Sequence, residues 1–384
     1  MKMGALCLCA VCMISFAATT GVSKRAGEER GIPDSVSMRS IFHNYNYPGI
    51  DWAAMDDPKN DRVLRTCAGG ATGSQLASLG ISDLEERLTR LEKGNLLQRS
   101  DRGYALRFPV VVGDAHARLQ ASIHVTAAAM APAVKEMVKE IEAHLKGNEE
   151  MLYHFVWSGM MDGDIAWKLL EMHLRSRLQK EAVDLTTCWW MYPDHPYQAG
   201  TNSYMRPSGW LTISWRRSTP SPDDVCRSLG ASEDSFLAAS VRREPIPVDK
   251  ITDKLRSYGF VDASNRSTLF LLDVSSPLVP AVAQRSARLA QLAATHLDVK
   301  SIARDLDVAP ERAAVIAYHE LCYEILGILS ATGDLTIPKV PQDNPQATRY
   351  LVSLVSLTSP SQINEFEKLL NEVVRKQMMA EPSH

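Results

Sequence analysis

Apolar positions recur at helical spacing along most of the chain and alternate only in short stretches, so the pattern predicts a helix-rich protein with a few strands. Between Asp61 and Val112 it predicts three helices and two strands, from DRVLRTCAGGA, TGSQLASLG, ISDLEERLTRLEKGNLL and QRSDRGYALRFPVVV. Leu84, Leu88 and Leu91, spaced by four and three, share one helix face. Ser82 is the expected N-cap, with Glu85 completing a capping box, and Gly94 the expected end. Arg102-Gly103 marks a hairpin turn, with the second strand running from Tyr104 to Val112.

Beyond this, Asp114 to Lys146 is one helical stretch that Pro132 restarts or kinks. Residues 151–181 read as two helices broken near Gly159 to Gly163, and Thr186 to Arg217 as strand and loop ending in the alternating GWLTISWRR. Residues 218–247 are proline-bearing loops around one short helix, either DDVCRSLG or DSFLAASV. A second helical block follows from Val248. It contains Ile302-Ala303, Leu306, a turn, a long apolar-faced helix and Gly333-Asp334-Leu335, and it closes with the amphipathic SPSQINEFEKLLNEVVRKQMM.

The first of these segments resembles a winged helix-turn-helix over residues 55–112. The resemblance rests on Leu76-Ala77 and Leu79-Gly80-Ile81-Ser82, on Leu88-x-x-Leu91-Glu92-Lys93-Gly94, and on Gly103-Tyr104-Ala105-Leu106 as the wing. It implies a compact three-helix unit with a hairpin and raises DNA as a partner. Duplex affinity needs Lys and Arg against phosphates and a recognition helix that opens on base-reading side chains. Here that helix opens Ser82, Asp83, Leu84, Glu85, Glu86, an acidic turn that suits the helix dipole but repels phosphate. Arg87, Arg90, Arg99 and Arg102 are the residues a DNA reading would use. The block from Val248 carries a fainter echo of the same unit.

The 42 Lys and Arg against 45 Asp and Glu give a net charge of -3, which excludes a globally basic nucleic-acid binder and a disordered polyelectrolyte. Lys2, the apolar run Ala5 to Phe16 and the small residues Ser15 and Ala17 follow the order of a secretory signal peptide cut after Ala17, and predict export to the periplasm or medium. The alternative is translation from Met38 and a cytoplasmic protein. No later stretch reads as long enough to span a membrane. Outside the leader, Cys67, Cys188, Cys226 and Cys322 lack metal-ligand spacing and form either up to two disulfides or four buried thiols.

Four of the seven tryptophans and three tyrosines fall between Cys188 and Trp215. Flat apolar area interleaved with polar groups is what a binding surface needs. The candidate ligand- or partner-binding set is therefore Trp189, Trp190, Tyr192, Asp194, His195, Tyr197, Thr201, Asn202 and Tyr204, shaped as a loop by Pro193, Pro196 and Gly200. The alternative is that the tryptophans fill the core. His154 with Asp162 and Asp164, and His319-Glu320 with Glu324, are weaker metal-ligand groupings, since Asp164 more simply caps a helix and His319 more simply sits buried. No phosphate-binding, zinc-protease, nucleophile-elbow or dinucleotide motif is present, so neither a cofactor nor a metal is expected.

The sequence thus predicts an α+β, helix-rich chain: signal peptide 1–17, arm 18–51, winged helix 52–112, helical connector 113–150, central aromatic α/β region 151–247, and a C-terminal helical domain 248–384. It reads as a non-catalytic binding or regulatory protein, whose winged helix packs or contacts a protein partner and whose aromatic loop takes a protein or small ligand. The alternatives are a cytoplasmic DNA-binding regulator starting at Met38 and an exported hydrolase centred on residues 189–204 through His195.

Overall fold

The computed structural model describes residues 36–42, 57–179, 187–197, 199–206, 209–216, 233–247, 255–256, 259–338, 351–356 and 360–379. The signal peptide and the helix option DDVCRSLG lie outside them, as do the side chains of Trp189, Asn202 and Tyr204. The chain is helix-rich α+β, as its periodicity predicts.

Strand β1 (Val36–Phe42) is followed by α1 (Pro58–Thr66), α2 (Gly73–Ala77), α3 (Leu84–Lys93) and the hairpin β2 (Leu97–Ser100) and β3 (Gly103–Leu106). These helices and the hairpin close on their own core of Val63, Leu64, Leu76, Leu88, Leu91, Leu97 and Tyr104. The capping box sits one helix earlier than expected, at Thr72 and Gln75 of α2. At α3 the N-cap is Asp83, whose side chain makes no capping bond because its carboxylate is turned onto Arg87. Gly103 has φ +120°, and a Cβ there would lie 2.2 Å from the Ala71 carbonyl oxygen, so only glycine lets the hairpin close on the preceding loop. Strand β3 is shorter than predicted, because Val110 and Val111 leave the hairpin to pair with Met191.

Part of the segment expected as a linker or extended arm forms a strand. β1 pairs antiparallel with β4 (Thr187–Pro193) from Val36 opposite Pro193 to Phe42 opposite Thr187. Val36 and Met191 both enter the core of the helix-hairpin unit, so this ladder stitches the unit to the rest of the chain.

Helix α4 (Gly113–Glu142) runs unbroken through Pro132. Pro132 and Ala128 are exposed, so water can reach the Ala128 carbonyl that loses its partner to the proline. Then α5 (Leu152–His154) runs into a π-helical turn, Phe155–Met161, and α6 (Asp164–Leu178) starts from Gly163 as N-cap, with Asp164 inside the helix. A Cβ on Gly159 would meet Val282 at 2.6 Å, and one on Gly163 the Gly159 carbonyl oxygen at 2.6 Å. The expected break is therefore a widened turn packed tightly from two sides.

Strands β5 (Ala199–Arg206), β6 (Gly209–Arg216), β7 (Phe270–Asp273) and β8 (Leu351–Ser356) form one sheet in the order β5-β6-β8-β7, parallel only between β7 and β8. Alternation along β6 sends Leu211 and Ile213 to a small core with Phe236 and Leu237 of α7 (Glu233–Arg242). The other face meets the main core, built from α4 to α6, α8 (Leu278–His296), α9 (Val299–Leu306), α10 (Pro310–Ala331) and α11 (Pro360–Met379). Because β7 and β8 share the sheet with β5 and β6, the boundary drawn at residue 247 does not separate two cores.

By length and composition α10 is apolar enough to cross a membrane, contrary to expectation. Of its apolar window 78% is buried within the protein, which makes it the central core helix. Cys67 and Cys322 are free and buried. Burial pushes the Cys67 thiol up to about 12 and that of Cys322 well above its ordinary range.

Candidate functional site

The polar and aromatic side chains of the main core gather where the π-helical turn, α10 and the β4–β5 segment meet. The innermost group is a seam of hydroxyls and imidazole. Register places Thr201 opposite Ser214 and Ser203 opposite Thr212 on the sheet face turned to the helices. Ser158 reaches down from the π-helical turn to Thr201 Oγ1 (2.8 Å) and Ser214 Oγ (2.6 Å), and His154 Nδ1 meets the same Ser214 Oγ at 2.6 Å. His154, Ser158 and Ser214 are all at least 97% buried. This is a histidine beside serines, yet its burial suits a hydrogen-bonded seam that fixes helix to sheet rather than a nucleophile.

Above the seam lies an aromatic cluster. Trp157 and Tyr323 stack with centroids 5.3 Å apart and planes 15° from parallel, and His195 stacks on Tyr323 at 5.5 Å and 20°. His319, one turn before Tyr323 on α10, stands edge-on to Tyr323 (4.7 Å), Trp190 (5.3 Å) and Trp157 (6.3 Å). The Tyr323 hydroxyl donates to the Ala199 carbonyl at 2.6 Å, and the Tyr318 hydroxyl to the Met161 carbonyl at 2.8 Å where the π-helical turn ends. Burial raises the Tyr318 hydroxyl well above the ordinary tyrosine range.

At the rim, the carboxylate of Glu324 faces two imidazoles from distant elements: His124 Nδ1 of α4 lies 2.7 Å from one oxygen and His195 Nε2 4.0 Å from the other. The Tyr197 backbone N–H donates to His195 Nδ1 at 3.2 Å, which assigns the ring proton to Nε2. A metal ligand would need that nitrogen bare, so the arrangement suits hydrogen bonding and not coordination. Among the described residues no group of three His, Cys, Asp or Glu is set to hold a metal ion. Tyr197 packs over Gly327, where a Cβ would come within 2.9 Å of its ring.

The structure divides the expected binding set. Trp190 and Tyr192 are 0% and 1% exposed; they lie on β4, not in a loop, and their rings belong to the core. Alternation along the strand, with α4 and α10 packed over it, buries them. Tyr192 accepts from Gln120 Nε2 at 2.8 Å, which ties β4 to α4. Thr201 is in the buried seam. Asp194, His195 and Tyr197 form a partly exposed turn. The grouping of His154 with Asp162 also dissolves, because Asp162 accepts from Trp167 Nε1 at 3.1 Å while His154 turns to Ser214. His319 and Glu320 are buried, and Glu324 instead joins His124, two hundred residues away in sequence.

The residues of the DNA reading divide as well. Arg87 is buried, its Nη1 at 2.5 Å from Asp57 and 2.8 Å from Asn60, its Nη2 at 2.8 Å from Asp83. It is therefore unavailable to a phosphate. Arg90 is half-buried, and Arg99 and Arg102 are exposed on the hairpin, Arg99 lying over the Tyr104 ring at 5.3 Å. Protein-family models, curated proteins and solved structures yield no match to this chain.

Proposed function

We propose that this chain is a non-catalytic binding or regulatory protein, in which residues 57–112 form a winged helix used for packing and protein contact. The order of three helices and a hairpin supports the winged-helix reading. The observation that carries the functional one is the commitment of Arg87 to Asp57, Asp83 and Asn60. The helix that would enter a major groove has turned its first arginine inward and presents exposed Glu85 and Glu86 in its first turn. The pairing of β1 with β4 and of Val111 with Met191 supports the packing role.

A second reading, a DNA-binding regulator, draws on the exposed Arg99 and Arg102. Titration of a labelled duplex at low salt separates the two. The proposal expects no binding that steepens as salt falls. Duplex binding that weakens with salt and is lost in Arg99→Ala/Arg102→Ala overturns it.

A further inference from the structure

We propose that the outer face of α4 is a dimer interface, on which a second copy of this chain packs its own α4 antiparallel about a two-fold axis level with Ala127. The inference goes beyond the role proposed above, since α4 lies outside residues 57–112. The inner face of the helix, with Ile123, Ala127, Met130, Val134 and Met137, belongs to the main core. The opposite face is apolar as well. At about 100° per residue, Ala121, Val125, Ala128, Ala129 and Pro132 fall within about 60° of one line along the helix, and all five are exposed. Val125 is 70% exposed, and among the described residues it is the one large apolar side chain set in solvent.

The charges that bracket this patch identify the partner. Asp114 and Arg118 precede it and Glu136 and Lys139 follow it, on the same line of the helix and all exposed. Arg118 and Glu136 each stand nine residues from Ala127, and Asp114 and Lys139 thirteen and twelve. An antiparallel copy therefore sets Arg118 against the partner's Glu136 and Asp114 against the partner's Lys139, while the short side chains meet in the middle and let the two helices approach closely. A parallel copy would set each charge against its own like, and a polyanion or an anionic membrane would meet as many acids as bases. Within one chain, Glu136 and Lys139 pair with each other at 2.9 Å and Arg118 lies 3.9 Å from Asp305. These are exposed pairs, so little is lost when they turn to a second copy. A single helix face buries less area than a standard interface, and the dimer is expected to dissociate in the micromolar range.

Sedimentation velocity of the full-length chain over a dilution series tests this, and a monomer–dimer equilibrium is expected. Val125→Lys brings two ammonium groups together near the axis and should raise the dissociation constant about tenfold; Arg118→Glu, set against the partner's Glu136, should raise it by a similar factor. Arg118→Glu/Glu136→Arg exchanges the two signs and should restore the native value, which neither non-specific apolar association nor a dimer through another surface would do. A native chain that stays monomeric, a dimer indifferent to these variants, or a double variant no better than Arg118→Glu alone overturns the proposal. Ala129→Glu and Glu136→Arg, at equally exposed positions, take the place of Val125→Lys or Arg118→Glu if circular dichroism shows either to be unfolded.

Discussion

The guanidinium of Arg87 lies 2.8 Å from the carboxylate of Asp83, one turn earlier on the same helix, and its other terminal nitrogen reaches Asp57 at the start of α1. One arginine thus joins the first helix of the unit to the third. The pair stands where a DNA reader would keep its arginine outward, and it ties the unit's stability to pH.

Asp57 and Asp83 both have carboxyls held below the usual range, chiefly by hydrogen bonds from Arg87, with Asp83 at about 2. Depressed folded values mean that the stabilisation is complete above the unfolded value near 3.9 and is lost as pH falls toward about 2. Thermal melts across that window should fall less steeply for Asp83→Asn than for the native chain. Parallel curves would show that the contact contributes nothing.

A chain beginning at Met38 should be less stable than one beginning at Ala18. It lacks Val36, which is 2% exposed and whose carbonyl accepts from Arg65 Nη2 at 2.6 Å. Burial of one valine side chain contributes about 1.5–3 kcal/mol. Urea midpoints of the two chains measure the difference, and equal midpoints contradict the role given to β1.

Replacing Gly103 by Ala sets a Cβ against the Ala71 carbonyl at a positive φ, where neither the backbone nor a rotamer can yield. A loss of about 2–3 kcal/mol is expected from denaturant unfolding. A change within experimental error would mean that the hairpin does not close on that loop.

Ser214→Ala removes the hydroxyl shared by His154 and Ser158 inside a buried seam and should cost about 1–3 kcal/mol. Ser203→Ala, whose contact with Thr212 is 3.4 Å and part-buried, should stay within about 0.5 kcal/mol. Equal costs would argue against a cooperative seam.

Local features were legible where the chain carries its own signal. The spacing of Leu84, Leu88 and Leu91 gave α3, and the alternation GWLTISWRR gave β6. The density of rings around Trp190 drew attention to β4, yet it could not tell core from surface, because burial of β4 is decided by α4 and α10 packing over it. His195 and Tyr197 were reachable from composition. His124 and Glu324 were not, since nothing local links positions two hundred residues apart. Glu324 entered the sequence reading only beside His319-Glu320, and its partner His124 did not enter it at all. The inward turn of Arg87 was likewise hidden: Asp83 at i−4 hints at an ion pair, but Asp57 and Asn60 come from another helix.

Native-state hydrogen exchange of the full chain tests the central claim, that the helix-hairpin unit is built into the body, most directly. The account predicts that the amides of Leu88, Leu91 and Tyr104 in the unit and those of Val36 and Met191 in the ladder open together with those of α10. Exchange of the unit at a markedly lower opening free energy, while α10 stays protected, would contradict it and describe an independently mobile module instead.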